Sequence, residues 1–83
     1  MIWSIAWSHA ATRDLRYIPW RLAARVDAAV MALAEGRAGE GRIERMTATD
    51  PRRLRLRLPG VSALLWIDSE SSTLHVARVL RGG

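Results

Sequence analysis

Residues 50–60 read DPRRLRLRLPG, and from Arg53 to Leu58 arginine and leucine alternate without a break. Successive side chains of a β-strand leave opposite faces. The pattern therefore predicts a strand with Leu54, Leu56 and Leu58 on one face and Arg53, Arg55 and Arg57 on the other. The leucine face needs a core. The arginine face sets out three guanidinium groups in a row, with alternate side chains about 6.6 Å apart, a spacing that suits successive phosphates.

The neighbouring segments extend this strand into a sheet. Pro59 and Gly60 turn the chain, and VSALLWID (61–68) is a mostly apolar strand expected to lie centrally. SESS turns it again, and TLHVARVL (73–80) is the last strand before RGG. On the N-terminal side, TDP (49–51) makes a turn and RIERMT (42–47) is a short strand candidate. Short loops between consecutive strands predict antiparallel pairing.

The first half of the chain supplies the covering layer. IWSIAW (2–7) alternates bulky and small residues and reads as a strand, with Trp3, Ile5 and Trp7 on one side. Ser8 is placed to cap a helix in which Ala11, Leu15 and Ile18 recur at helical spacing. Pro19 ends that helix and suits the start of a second. In PWRLAARVDAAVMALAEG (19–36) the residues Leu22, Val26, Ala29, Val30 and Leu33 form one apolar stripe, with Gly36 as the C-terminal stop. EGRAGEGR (35–42) is a polar, glycine-rich loop that neither follows a strand nor opens a helix, so it is not a phosphate-binding loop. The expected fold class is α+β in the order β-α-α-β-β-β, a helical hairpin packed on a small, mainly antiparallel four-stranded sheet.

Composition narrows the function. The chain has 83 residues, and residues 1–83 are expected to form a single domain with a thin core. There are no cysteines, which excludes a disulfide framework and a thiolate metal site; no metal-ligand cluster, cofactor motif or serine-triad spacing is present, and no metal or cofactor is expected. No run of about 18 apolar residues occurs and the N-terminus lacks a basic, then apolar, leader pattern, so a cytoplasmic protein without a membrane partner is expected. All 13 basic residues are arginine, against 8 acids, for a net charge of +5. Arginine presents a planar fork of donors matched to phosphate and carboxylate. A basic small domain attracts polyanions such as nucleic acid, a ribosomal surface or an acidic partner segment.

With its order of elements, the sequence resembles the RelE/ParE superfamily of toxins from bacterial type II toxin–antitoxin pairs. The resemblance spans nearly the whole chain. IAWSHAATRDLRYIP (5–19) is similar to the family's opening strand and first helix, and RLAARVDAAVMALAEG (21–36) to its second helix. RIERMTATDPRRLRLRLPG (42–60) is similar to the segment ending in an R-L-R-V-G type strand, VSALLWID (61–68) to the next strand, and LHVARVLRGG (74–83) to the last strand with its R-G end. The short hairpin broken at Pro19 looks more like the RelE branch, whose members are ribosome-dependent ribonucleases acting on mRNA. The ParE branch inhibits DNA gyrase without being a nuclease.

The resemblance implies a toxin that cuts mRNA without a metal, or, as the alternative, a gyrase inhibitor or an attenuated toxin that only binds its antitoxin. It implies a cognate antitoxin, acidic in its toxin-binding segment, and a ribosome carrying mRNA as the target. Residue by residue, Arg53, Arg55 and Arg57 match the basic residues of the family's third strand, Arg78 one in its last strand, and Arg81 the arginine near its C-terminus. Val61 and Ser62 stand where the family has an aromatic residue and an arginine, and the C-terminal tail that often ends in tyrosine is missing after Gly83. Cleavage by internal attack needs a proton removed from the 2′-hydroxyl, charge compensation at the phosphate and a proton for the leaving oxygen. Arg57, Arg81 and His75 are the catalytic candidates, and Arg53, Arg55 and Arg78 the RNA-binding ones. His75 is the histidine nearest the arginines, can shuttle protons, and shares the parity of Arg81. His9 reads as structural or exposed, Tyr17 as packing at the hairpin, and the four tryptophans Trp3, Trp7, Trp20 and Trp66 as core and partner surface, with base stacking as the other possibility.

Overall fold

The computed structural model describes residues 3–37, 39–46 and 50–82. Ile2 of the expected first strand, Thr47 of RIERMT, Thr49 of the TDP turn and the terminal Gly83 lie outside the described residues. The order of elements is β1 (Ser4–Trp7), α1 (His9–Arg16), α2 (Trp20–Ala34), β2 (Arg42–Arg45), β3 (Arg53–Leu58), β4 (Val61–Asp68) and β5 (Thr73–Arg81).

The five strands form one sheet in the order β1-β5-β4-β3-β2. This corrects the expected four-stranded sheet: RIER is a full member, pairing antiparallel with β3 through Arg42↔Arg57, Ile43↔Leu56, Glu44↔Arg55 and Arg45↔Leu54. With Ile43 its one apolar residue, β2 gains little from burial and holds its place as an edge through the ladder and the 3.4 Å ion pair of Glu44 with Arg57. The meander β2-β3-β4-β5 is antiparallel. At the far edge β1 lies parallel to β5, so the sheet is mixed. The apolar strand β4 is central, as its composition predicts.

Both helices belong to one layer. Val26, Ala29 and Val30 of α2 are buried with Ala11 of α1 against Leu56, Leu58, Val61, Ala63, Leu65, Leu74, Val76 and Val79 of the sheet, while Leu22 and Leu33 pack at the margin. The leucine face of β3 thus meets the α2 stripe, and among the described residues the arginine face is left without a helix. The helix ends follow from local chemistry. Ser8 accepts the Ala11 N–H at 2.9 Å and caps α1. After α2, Gly36 takes φ +71° and two reverse bonds close the helix, Gly36 N–H to Leu33 and Arg37 N–H to Ala32.

One irregularity decides which side chains face which way. Between Leu64 and Leu65 the β4–β5 register shifts: Leu65 pairs with Val76 and Leu64 with Arg78, so Ala77 is an extra residue on β5. Ser8 fixes this bulge from outside the pair. Its backbone N–H donates to Val76 and its hydroxyl donates to the Ala77 carbonyl at 2.7 Å.

Candidate nucleic-acid interface

The uncovered face of the sheet carries five of the 13 arginines. Cross-strand partners share a face, so the register reads as rows. One row runs Arg42, Arg57, Ser62, Leu80; the next Glu44, Arg55, Leu64, Arg78; the third Arg53, Trp66, His75, Ala6. Five arginines from three strands therefore stand on one face, together with a histidine and a tryptophan. All three arginines of the alternating stretch are there, as the period-2 pattern predicts.

Their environments differ. Arg53 is exposed, and its Nε donates to Asp50 at 3.3 Å. Arg57 donates to Glu44 at 3.4 Å. Arg55 stands between them, half buried, and its Nε is shielded from solvent with no hydrogen bond among the described residues. A buried guanidinium nitrogen without a partner is costly. Arg78 is clamped by Asp14 of α1, Nε at 2.7 Å and Nη2 at 3.1 Å, and the Val79 N–H donates to the same carboxylate at 2.9 Å. The Arg78 guanidinium holds Asp14 below the usual carboxylate range, with the Val79 N–H adding to the effect. His75 stacks flat on Trp66, ring centroids 3.9 Å apart and planes 3° from parallel. Ser62 lies beneath the face with 6% of its surface exposed.

No family model and no curated protein matches the sequence. Solved structures do match the fold. A chain of the RelBE2 toxin–antitoxin complex from Mycobacterium tuberculosis superposes with a TM-score of 0.76 at 23% identity, covering 98% of this chain and 99% of that one. A chain of the RelB–RelE antitoxin–toxin complex from Methanococcus jannaschii superposes with a TM-score of 0.70 at 14% identity, covering 92% and 88%. The chain has a RelE-like fold.

Within this RelE-like fold the bulge at Ala77 separates residues that share parity in the sequence. His75 faces the arginine side, and so do Arg78 and Leu80. Arg81 pairs with Val61 and takes the side of the helices. The reading that places His75 and Arg81 on one face is therefore corrected: the extra residue between them inverts the alternation. Arg53, Arg55, Arg57, Arg78 and His75 share one face of the sheet, and Arg81 does not.

The aromatic residues divide more finely than composition suggests. Trp3 and Trp7 pack on the core. Tyr17 and Trp20 stand out from the hairpin, 79% and 74% exposed, which corrects the expectation that Tyr17 packs there. Trp66 belongs to the open face at 38% exposed. It falls on the same parity as Ser62 and Leu64 within VSALLWID, a signal hidden by the apolar character of both sides of that strand. Asp14 is a residue that sequence reading missed. Its role depends on contacts 64 and 65 positions away, which leave no local pattern. No group of His, Asp or Glu suited to holding a metal ion occurs among the described residues, and no described helix is long and apolar enough to cross a membrane.

Proposed function

We propose that this protein is the toxin of a type II toxin–antitoxin pair, acting as a RelE-like, ribosome-dependent mRNA endoribonuclease neutralised by a cognate antitoxin. The observation that carries the reading is the open sheet face, where Arg53 flanks the His75–Trp66 stack, Arg55 and Arg78 stand one row on, and Arg57 stands two rows on. In this reading Arg53, Arg55 and Arg78 hold the RNA backbone. Arg57 offsets charge on the scissile phosphate, since its guanidinium can exchange Glu44 for a phosphate oxygen. His75 moves the proton, because histidine is the side-chain type that titrates near neutral pH whereas arginine is too basic to do so. Arg81 has no part at the reacting phosphate. The antitoxin is expected to bring an acidic segment to the same face and to order as it binds.

The ParE-like alternative, a gyrase inhibitor that needs no catalytic group, gains from two observations. Ser62 is buried and supplies no charge where the resemblance implies an arginine, and Arg81 stands on the helix side of the sheet. Expression in a bacterium without the antitoxin, with primer-extension mapping of a translated message, separates the readings. Growth arrest with cuts at defined codon positions supports the nuclease. Arrest with intact message and blocked supercoiling supports the gyrase inhibitor. Soluble protein with no arrest leaves an attenuated toxin that binds its antitoxin.

A further inference from the structure

Trp66 occupies an unusual place for a tryptophan. Its neighbours Leu65 and Ile67 point into the core, while its own ring lies on the face no helix covers. In the sheet it stands between His75 on β5 and Arg53 on β3. The imidazole of His75 covers the β5 side of the ring. Toward β3 opens a pocket of about 210 Å³ lined by Asp50, Arg52, Arg53 and Trp66.

The floor and rim of this pocket are built. Asp50 accepts the Arg52 backbone N–H at 3.1 Å, and its two oxygens take Nε of Arg52 and Nε of Arg53, each at 3.3 Å. The hydrogen bond from the Arg52 backbone leads the effects that hold Asp50 below the usual carboxylate range, so it stays an anion that ties both arginines. A guanidinium bound through Nε keeps its terminal nitrogens as donors. The Ile67 N–H donates to the Arg52 carbonyl at 3.0 Å and fixes the turn against β4. The pocket therefore offers a flat aromatic wall and a rim of cationic donors. An acidic peptide satisfies the rim and leaves the ring unmatched. A planar heterocycle attached to a phosphate satisfies both.

We propose that Trp66, Arg52 and Arg53 form a subsite for one unstacked nucleotide of a single-stranded RNA, its base lying on Trp66 as an extension of the His75–Trp66 stack and its phosphate taken by the two guanidiniums. The choice of RNA as the occupant rests on the proposed function; the platform itself rests on the stack and the pocket. Stacking of a base on an aromatic side chain tolerates any sequence, because every base has a π-face. The subsite thus anchors the strand and leaves codon choice to other contacts.

The test uses the purified full chain, without ribosomes, and a labelled single-stranded oligonucleotide carrying 2′-O-methyl groups so that it cannot be cut by internal attack. Binding is read by fluorescence anisotropy. Trp66→Ala is expected to weaken binding about 5- to 150-fold, the range that corresponds to one lost base stack. Trp66→Phe keeps most of the affinity, Trp66→Leu does not, and both keep apolar bulk at the position so that folding is preserved. Arg53→Ala lowers the slope of log affinity against log salt by about one. Equal binding by wild type and Trp66→Ala, equal binding by Trp66→Leu and Trp66→Phe, or no binding by the wild type overturns the subsite. A protein that binds through Trp66 yet leaves translated message intact keeps the subsite and loses the nuclease reading. One that cuts message with Trp66→Ala bound as tightly as wild type does the reverse.

Discussion

Asp14 of α1 and Arg78 of β5 are joined by two contacts of 2.7 and 3.1 Å across 64 residues of chain. The same carboxylate accepts the Val79 N–H, so Asp14 closes the edge of β5 beyond the end of β1 and aims Arg78 at once. Its carboxyl group is held below its unfolded value, chiefly by the Arg78 hydrogen bond. The folded chain therefore binds fewer protons than the unfolded one in the acid range. The stabilisation is complete above the unfolded value, about 3.9, and drains away as pH falls through the lower folded value. Asp14→Asn keeps an acceptor for Val79 and loses the charge. It is expected to cost about 1 to 2 kcal/mol at neutral pH, several degrees in Tm for a chain of this size, and to flatten the acid limb of stability against pH. Asp50 and Asp68, also held low, preserve part of that limb. Thermal melts of both proteins between pH 2 and pH 7 measure the difference; parallel curves speak against the assignment.

Ser8 does two jobs with one hydroxyl. It accepts the Ala11 N–H at the start of α1 and donates to the Ala77 carbonyl at the bulge. Ser8→Ala removes the cap and leaves a bulge carbonyl without its donor, an expected loss of roughly 1 to 2 kcal/mol. Because the bulge sets which of Arg78 and Arg81 faces the arginine row, the variant is also expected to raise amide exchange at Arg78 and Val79 more than in β3. Hydrogen exchange resolved by residue tests this, and a uniform rise across the sheet argues against a local role.

Gly41 carries the chain into β2 at φ +108°, where a Cβ would lie 2.9 Å from Leu58 Cδ2, 3.0 Å from Leu56 Cδ1 and 3.1 Å from the Arg57 carbonyl. The carbonyl belongs to the β3 ladder and cannot withdraw. Gly41→Ala is expected to cost roughly 1 to 3 kcal/mol and to loosen β2 from β3, releasing Glu44 from Arg57. A lower urea midpoint with an unchanged slope in chemical denaturation is the expected result.

Much of this architecture is legible in the residues, and the failures share a cause. The α2 stripe and the alternation of β3 are local periodic patterns, each set by the geometry of its own element, and both faces come out as read. β2 escapes the count because four residues with one isoleucine carry almost no hydrophobic signal, while its pairing is decided by β3 and by Gly41. The parallel neighbour of β5 is 69 residues away at Ser4, beyond any local rule. Above all, nothing in LHVARVL marks Ala77 as the extra residue. The bulge depends on Ser8, and that single residue transfers Arg81 from the candidate site to the opposite side of the sheet. Trp66 is hidden for the converse reason, since an apolar residue in an apolar strand looks like core on either parity.

The transfer of Arg81 leads to a discriminating experiment on the arginines themselves. If the open face meets the RNA backbone, Arg55 and Arg57 act on phosphate, while Arg81, on the helix side, does not. In a translating extract, Arg55→Ala and Arg57→Ala are expected to reduce message cleavage, and each to lower the salt dependence of the apparent affinity by about one in log–log slope. Arg57→Ala should reduce turnover at saturating ribosomes more than Arg55→Ala, because compensation of the reacting phosphate is felt in the transition state and simple backbone contact is not. Arg55→Ala removes a buried nitrogen that lacks a partner, so it is expected to leave stability unchanged or slightly raised. Arg81→Ala is expected to cleave within about threefold of wild type, a difference in barrier of less than 1 kcal/mol. Should Arg81→Ala abolish cleavage while Arg57→Ala does not, the reacting phosphate lies at the C-terminal end of β5 and the arginine row is a binding surface only.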